Sequence, residues 1–543
     1  MRATSLLFLL ALLPPALAGA GEAVALDEGA QVLAPASEAA TGAASSPGGG
    51  PVSTMAASGA SLTSAPSNAA ITPELQAALA NLPNLPIFAK SHSALDVVDA
   101  ETGTRVYSYG DDARLLPAST MKLVTSSVAL RELGPSYRFP TWVKHDGDLG
   151  ADGVLKGNLY VVGQGDPTMV VERMWRMVAD LKSHGIAEIQ GDLVFDDSYT
   201  QDSVWIPGWN KPEDLEEGSS YYSALGALSL NYNMATINIR PGPAVGGPAI
   251  AAFDTPSDVL VLDNQLTTGR DRSKYWVKVE RTLDEKDGKV GTYKLTGNVP
   301  ADHEPDQVYR TLADPTGNYV SVFRDMVKAN GIKLKGKART GAAPVDSTLV
   351  MKVESDRLVE ILMDMNKQSN NFMAEQVLRA VGAEKLGLPG TTEKGVQVLN
   401  EYMGALGVSS DRYKFVNGSG LSREATMSPS AMDAVLVDMW NDVDRGPEFL
   451  ATLAVGGRDG TLWHRFREDG MEGRVRAKTG SLNGVFCLSG YVQAVDGRNY
   501  AFSFFVNDID GNTVRARAAH DELVRALAGV NGNLAEAGDG GGD

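Results

Sequence analysis

The sequence predicts an α+β protein: a mixed domain of strands and helices split by a large, mainly β insertion. Three observations carry this reading. The stretch "SALDVVDAETGTRVYSYG" alternates apolar residues on either side of a Glu-Thr-Gly turn, the pattern of a β-hairpin. Strand patterns and a last helix return at the end, in "GRVRAKTGSLNG", "VFCLSGYVQAVDGRNYAFSFFVND" and "TVRARAAHDELVRALAG". Between these two ends, short strands dominate from about 140 to 345, and helices follow from about 355.

Taken in order, residues 1–18 read as a secretory signal peptide. Arg2 precedes an apolar run from Leu6 to Leu13, and Ala16-Leu17-Ala18 forms a small-x-small cleavage pattern. The run is too short to span a bilayer, and no later segment is apolar enough to do so. Residues 19–71, rich in Ala, Ser, Gly and Pro, carry too little apolar surface to fold and read as a linker. Folding is expected to begin at Thr72, an N-cap, with Pro73 in the first turn. The hairpin and a helix over 119–133, stopped by Gly134-Pro135, complete the first segment of the mixed domain, 72–140. The insertion covers 141–344. The domain resumes over 345–530 with four helical patterns and the closing strands. Residues 531–543 read as a tail.

Composition excludes several functions. The 543 residues carry a formal net charge of -18, which argues against nucleic acid as a partner. The single cysteine, Cys487, lies in "GVFCLSGYV" and reads as a buried, inert thiol. Six scattered histidines show no metal-ligand spacing, so neither metal nor other cofactor is expected. "GQGDPT" lacks the third glycine of a dinucleotide loop, and no Gly-x-Ser-x-Gly elbow occurs.

Chemistry enters with "LLPASTMKLVTSSVAL" (115–130). Ser119 and Lys122 stand three apart at a helix start and share a face. Serine needs a base to act as a nucleophile, and a lysine serves only if its proton affinity is lowered. Alone, the pair is equally a serine cap and a surface lysine. The uncharged run Leu123–Leu130 makes a surface lysine the poorer explanation. Ser-x-Asn occurs three times, at Ser229, Ser369 and Ser481. Ser369-Asn-Asn371 falls on a tight turn between helical patterns, able to project both side chains into a cleft. Lys478-Thr479-Gly480 lies within a strand pattern. There Gly480 is out of place unless another backbone or a ligand approaches closely. A cation with the Thr479 and Ser481 hydroxyls at an accessible strand edge can hold a carboxylate, and a peptide can pair with that edge. The three motifs occur in the order found in β-lactamases and penicillin-binding proteins. Ser119 and Ser369 are 250 residues apart, and Ser369 and Lys478 109.

With these motifs the chain resembles the D-alanyl-D-alanine carboxypeptidase/endopeptidase family, the class C penicillin-binding proteins of low molecular mass. "GQGDPTM", "GDLVFDD", "ALSLNYN", "NGSGLSRE" and "GGRDGTLWHRF" extend the likeness over about Thr72 to Gly529, with Asn417 where an Asp is more usual. The resemblance implies a penicillin-recognising, β-lactamase-like domain: an antiparallel sheet flanked by helices, plus an all-helical lobe, with the 141–344 insertion divided into two subdomains. It implies that Ser119 forms an acyl-enzyme, Lys122 takes its proton and Ser369 relays a proton to the leaving amine. Asn371 would orient the substrate amide, Lys478 lend charge, and Thr479 and Ser481 bind the terminal carboxylate. Backbone N–H groups of Ser119 and Ser481 would form the oxyanion hole. The implied substrates are peptidoglycan stem peptides ending in D-Ala-D-Ala, with β-lactams as covalent inhibitors, in the periplasm; a homodimer is compatible. The alternatives are a β-lactamase or esterase on the same scaffold and a non-catalytic peptidoglycan-binding protein.

Overall fold

The computed structural model describes residues 72–200, 206, 208–209, 218–286, 288–509 and 513–530. The signal peptide, linker and tail readings (1–18, 19–71 and 531–543) lie outside the described residues.

A six-stranded antiparallel sheet organises the domain. Its order is Arg105–Tyr109, His92–Asp99, Asn499–Asn507, Val485–Gln493, Val475–Leu482 and Ala454–Val455. The N-terminal hairpin therefore docks on strands from the far end of the chain, with Leu95 opposite Phe504 and Val97 opposite Phe502. The run "YAFSFFVN" is almost unbroken in apolar residues because both faces of its strand are covered. Phe502, Phe504 and Val506 pack with Leu523 and Leu527 of helix Thr513–Ala528, and with Leu75 and Leu79 of helix Pro73–Asn81. The alternate residues Ala501 and Phe505 face the helical lobe, meeting Val435 and Leu436 of helix Pro429–Asn441. This is why strict polar–apolar alternation is missing there. Thr72 caps the first helix as expected, accepting from the Leu75 N–H at 3.2 Å.

The helical lobe gathers helices Lys122–Glu132, Leu358–Lys367, Asn371–Leu386, Thr392–Ala405 and Pro429–Asn441 around one apolar core. A 3₁₀ turn, Ala118–Met121, precedes the first, so the helix expected over 119–133 begins as a tighter turn.

Strands Pro140–His145 and Thr348–Glu354, which flank the expected insertion limits, pair with each other. They belong to a five-stranded sheet with Leu159–Val162, Leu193–Asp196 and Ala338–Thr340. Two helices, Val171–Ser183 and Pro315–Ala329, cover it and were not expected among so many strands. Their signal is in the sequence: Met174, Met177, Val178 and Leu181 recur at helical spacing and are buried. Residues 234–311 form two three-stranded sheets around a separate core of Ile237, Leu266, Tyr293 and Leu295. No helix among the described residues is long and apolar enough to cross a membrane.

Candidate active site

Three backbone segments, far apart in the chain, meet where the helical lobe abuts the Val475–Leu482 strand. The first is the 3₁₀ turn carrying Ser119. Ala118, just before the serine, has φ 46°, a left-handed conformation costly for a residue with a Cβ. Two glycines make room for this turn. A Cβ on Gly480 would lie 2.7 Å from the Pro117 carbonyl oxygen and 3.1 Å from the Ala118 Cβ. One on Gly420 would lie 1.9 Å from the Ala118 carbonyl oxygen. The glycine that looked misplaced in a strand is thus required by close approach of the serine turn.

Lys122 follows one turn later, fully buried. Its amine donates to Ser119 Oγ at 2.9 Å, Asn371 Oδ1 at 2.7 Å and the Ser419 carbonyl at 3.0 Å. These three acceptors match the three N–H donors of an ammonium. If the amine loses a proton, two of the bonds persist and the third reverses, with the Ser119 hydroxyl donating to nitrogen. Burial lowers the amine from its ordinary 10.5 to about 7, against the opposing pull of the Glu375 carboxylate. That displacement represents about 5 kcal/mol of discrimination against the charged form.

The second segment is the turn between helices Leu358–Lys367 and Asn371–Leu386. Ser369 sits there with φ 59°, and Asn370 caps the second helix by accepting from the Met373 N–H at 3.0 Å. Asn371 Nδ2 donates to the Tyr221 carbonyl at 3.3 Å. Tyr221 lies within the 141–344 stretch, so that stretch touches the site.

The third is the strand carrying Lys478, Thr479, Gly480 and Ser481. The buried Lys478 amine donates to Ser369 Oγ at 2.9 Å and to the Thr479 carbonyl at 2.8 Å. Burial first, then the positive charge of Lys122, push it well below the usual lysine range. Here each lysine has its own serine, Lys122 with Ser119 and Lys478 with Ser369, and they influence each other through space. Thr479 Oγ1 contacts Thr461 Oγ1 at 2.8 Å, and Ser481 is exposed. One edge of the strand pairs with Val485–Gln493 along its length. The other pairs with Ala454–Val455 only at Ala477 and Arg476, so among the described residues 478–482 has no strand partner on that side.

The structure also brings in residues to which no role had been assigned. Glu375 is buried one turn beyond Asn371, and Ser419 belongs to the "NGSGLSRE" loop. Thr461 comes from "GGRDGTLWHRF". For Glu375 a signal was present, a charge in the otherwise apolar "FMAEQVL" stretch, the same signal that singled out Lys122. For Ser419 there was none, since it is the main-chain carbonyl that acts. Cys487 is buried, and burial pushes its thiol up, away from reactivity. The remaining Ser-x-Asn serine, Ser229, is buried, receiving bonds from Asn233 and Gln376.

A serine–lysine pair, a second serine–lysine pair and an open strand edge, on a sheet backed by a helical lobe, define a penicillin-recognising serine peptidase fold. The chain belongs to the D-Ala-D-Ala carboxypeptidase 3 (S13) family, whose model it matches over residues 72–529. It is 32% identical over 463 residues to the D-alanyl-D-alanine carboxypeptidase of Actinomadura sp. (strain R39), covering 82% of this chain and 83% of that one. It is 25% identical over 423 residues to the D-alanyl-D-alanine carboxypeptidase DacB of Haemophilus influenzae, covering 76% and 85%. Among solved structures, penicillin binding protein 4 of Haemophilus influenzae superposes with a TM-score of 0.71 at 24% identity, over 83% of this chain and 98% of that one. The chain is accordingly a hydrolase, a serine-type D-Ala-D-Ala carboxypeptidase with the fold of the low-mass penicillin-binding proteins.

Proposed function

We propose that the chain hydrolyses the terminal D-Ala-D-Ala bond of peptidoglycan stem peptides through an acyl-enzyme on Ser119. The observation that carries this reading is the Lys122 amine, buried, brought to about 7 and 2.9 Å from the Ser119 hydroxyl. A buried amine of that proton affinity is in part neutral at pH 7 and can take the serine proton as Oγ attacks the penultimate carbonyl. The alkoxide's developing negative charge passes to the carbonyl oxygen, held by the backbone N–H groups of Ser119 and Ser481. Ser369 then carries a proton to the departing amine of D-alanine, and water releases the shortened peptide. Asn371 holds the substrate amide.

Lys478 takes its part only with substrate present. In the free enzyme, burial and Lys122 disfavour its charge. The terminal carboxylate, docked on Thr479 and Ser481, supplies the counter-charge that restores the Lys478 proton. The open edge at 478–482 accepts the peptide backbone as an added strand. β-Lactams present a carboxylate and a strained amide to the same groups and acylate Ser119. A chain exported by its first 18 residues works in the periplasm, and a homodimer is compatible with that setting.

The test is digestion of defined monomeric and cross-linked muropeptides by purified enzyme, beside penicillin turnover. Release of D-alanine with a long-lived penicillin adduct supports the reading. Rapid penicillin turnover without D-alanine release replaces it with a β-lactamase. Cleavage of cross-linked dimers adds endopeptidase activity.

A further inference from the structure

Among the described residues, Glu375 is the carboxylate that acts electrostatically on the Lys122 amine. It lies four residues after Asn371 on helix Asn371–Leu386, a spacing that puts both on one face of the helix. Both side chains face Lys122: Asn371 by direct bond, Glu375 through one peptide group. Glu375 is fully buried, and its two oxygens accept from consecutive main-chain donors, the Gly418 N–H at 3.0 Å and the Ser419 N–H at 2.8 Å. The carbonyls of those same two residues turn the other way. Gly418 accepts from Thr125 Oγ1 at 2.8 Å and Ser419 from Lys122 Nζ at 3.0 Å, so the loop is clamped between two helices. Asn417 Oδ1 closes the turn by accepting from the Gly420 N–H at 3.0 Å.

We propose that Glu375 is a positioning residue for acylation, acting through the Gly418–Ser419 peptide on the Lys122 amine. This rests on Lys122 being the base. Burial raises the Glu375 carboxyl, and the hydrogen bonds from Ser419 and Gly418 together with the Lys122 charge work against that rise and favour the carboxylate. Across the loop it aims the Ser419 carbonyl at Nζ and presents a negative charge to a cation whose direct partners among the described residues are Ser119, Asn371 and the Ser419 carbonyl. Of the titratable groups packed against Lys122, Glu375 comes from the helix and Lys478 from the strand. The other partners, Ser119, Asn371 and the Ser419 carbonyl, hold no charge at neutral pH.

Two consequences follow from replacing Glu375 by glutamine. The clamp loosens, because an NH₂ group now faces a main-chain N–H that needs an acceptor. The amine also loses the charge that favours its protonation, so it deprotonates at lower pH. The experiment measures the rate constant for acylation of the full chain by a fluorescent penicillin, from pH 5 to 9. A single-exponential time course makes that constant independent of the folded fraction. Glu375→Gln is expected to lower the plateau about tenfold and to move the acid limb down by about one pH unit. Glu375→Asp, which keeps the charge, is expected to keep the wild-type limb. A Gln variant with a lower plateau and an unmoved limb reduces Glu375 to a structural part and overturns the proposal. An Asp limb displaced like that of Gln does the same. Lys122→Arg is run alongside. Wild-type acylation by that variant removes the base assignment itself; a dead Lys122→Arg with an unmoved Gln limb defeats only the role of Glu375.

Discussion

The pH dependence of acylation tests how deeply the fold perturbs Lys122. With the amine at about 7, its neutral fraction is about 9% at pH 6 and about 91% at pH 8. If the neutral amine is the base, the acylation rate constant rises about tenfold over those two pH units and levels off above them. An unperturbed lysine at 10.5 behaves differently: its neutral fraction climbs about a hundredfold over the same interval with no plateau. The two cases therefore differ in slope and in shape. Purified enzyme mixed with excess fluorescent penicillin at constant ionic strength, and quenched at intervals, gives the rate constant directly. A hundredfold climb would falsify the claim that burial has lowered this amine. A flat profile would remove Lys122 as the titrating base. The amine is held low by its burial.

Other expectations concern single substitutions. Ser119→Ala should give no covalent penicillin adduct while melting like the wild type, and an adduct of normal yield would place the nucleophile elsewhere. Lys122→Arg keeps a charge but no base, and should lower acylation by about a hundredfold or more in the same labelling assay. Gly480→Ala forces a Cβ to within 2.7 Å of the Pro117 carbonyl. Displacing the serine turn by even a fraction of an ångström should cost acylation up to about a hundredfold, read against an unchanged circular-dichroism spectrum. Asp433→Asn probes the lobe instead. Asp96 and Asp433 are both fully buried, and the partly exposed Arg105 stands 2.9 Å from Asp96. Burial raises both carboxyls, Asp96 to about 6, and the charge of Asp96 adds to the rise at Asp433. Asp96 therefore keeps its proton in the folded protein between about pH 4 and 6, and Asp433 is displaced in the same direction. The folded protein binds more protons than the unfolded chain, so the contribution of these carboxyls to stability falls as pH rises from about 4. The variant should gain about 1 kcal/mol or more at pH 8 and less at pH 5, read as the difference in Tm.

By itself the sequence determined the N-terminal hairpin, the closing strands and last helix, and the three motifs with their order. The Ser119–Lys122 face, the Ser369 turn and the misfit glycine at 480 all follow from spacings of a few residues, which local sterics and periodicity dictate. The same local signal marked Cys487 as inert and the charged residue in an apolar helix as unusual. Tertiary structure decided what crosses the 250- and 109-residue gaps between motifs. It set Lys122 on Ser119 and Lys478 on Ser369. It also recruited the Ser419 carbonyl, the Glu375 carboxylate and the Tyr221 carbonyl, none of which belongs to a motif. Main-chain groups have no sequence signature, because every residue carries the same N–H and C=O. Which of them faces an amine depends on how distant segments pack. The perturbation of Lys122 is likewise a property of burial, which only the folded lobe and sheet together produce.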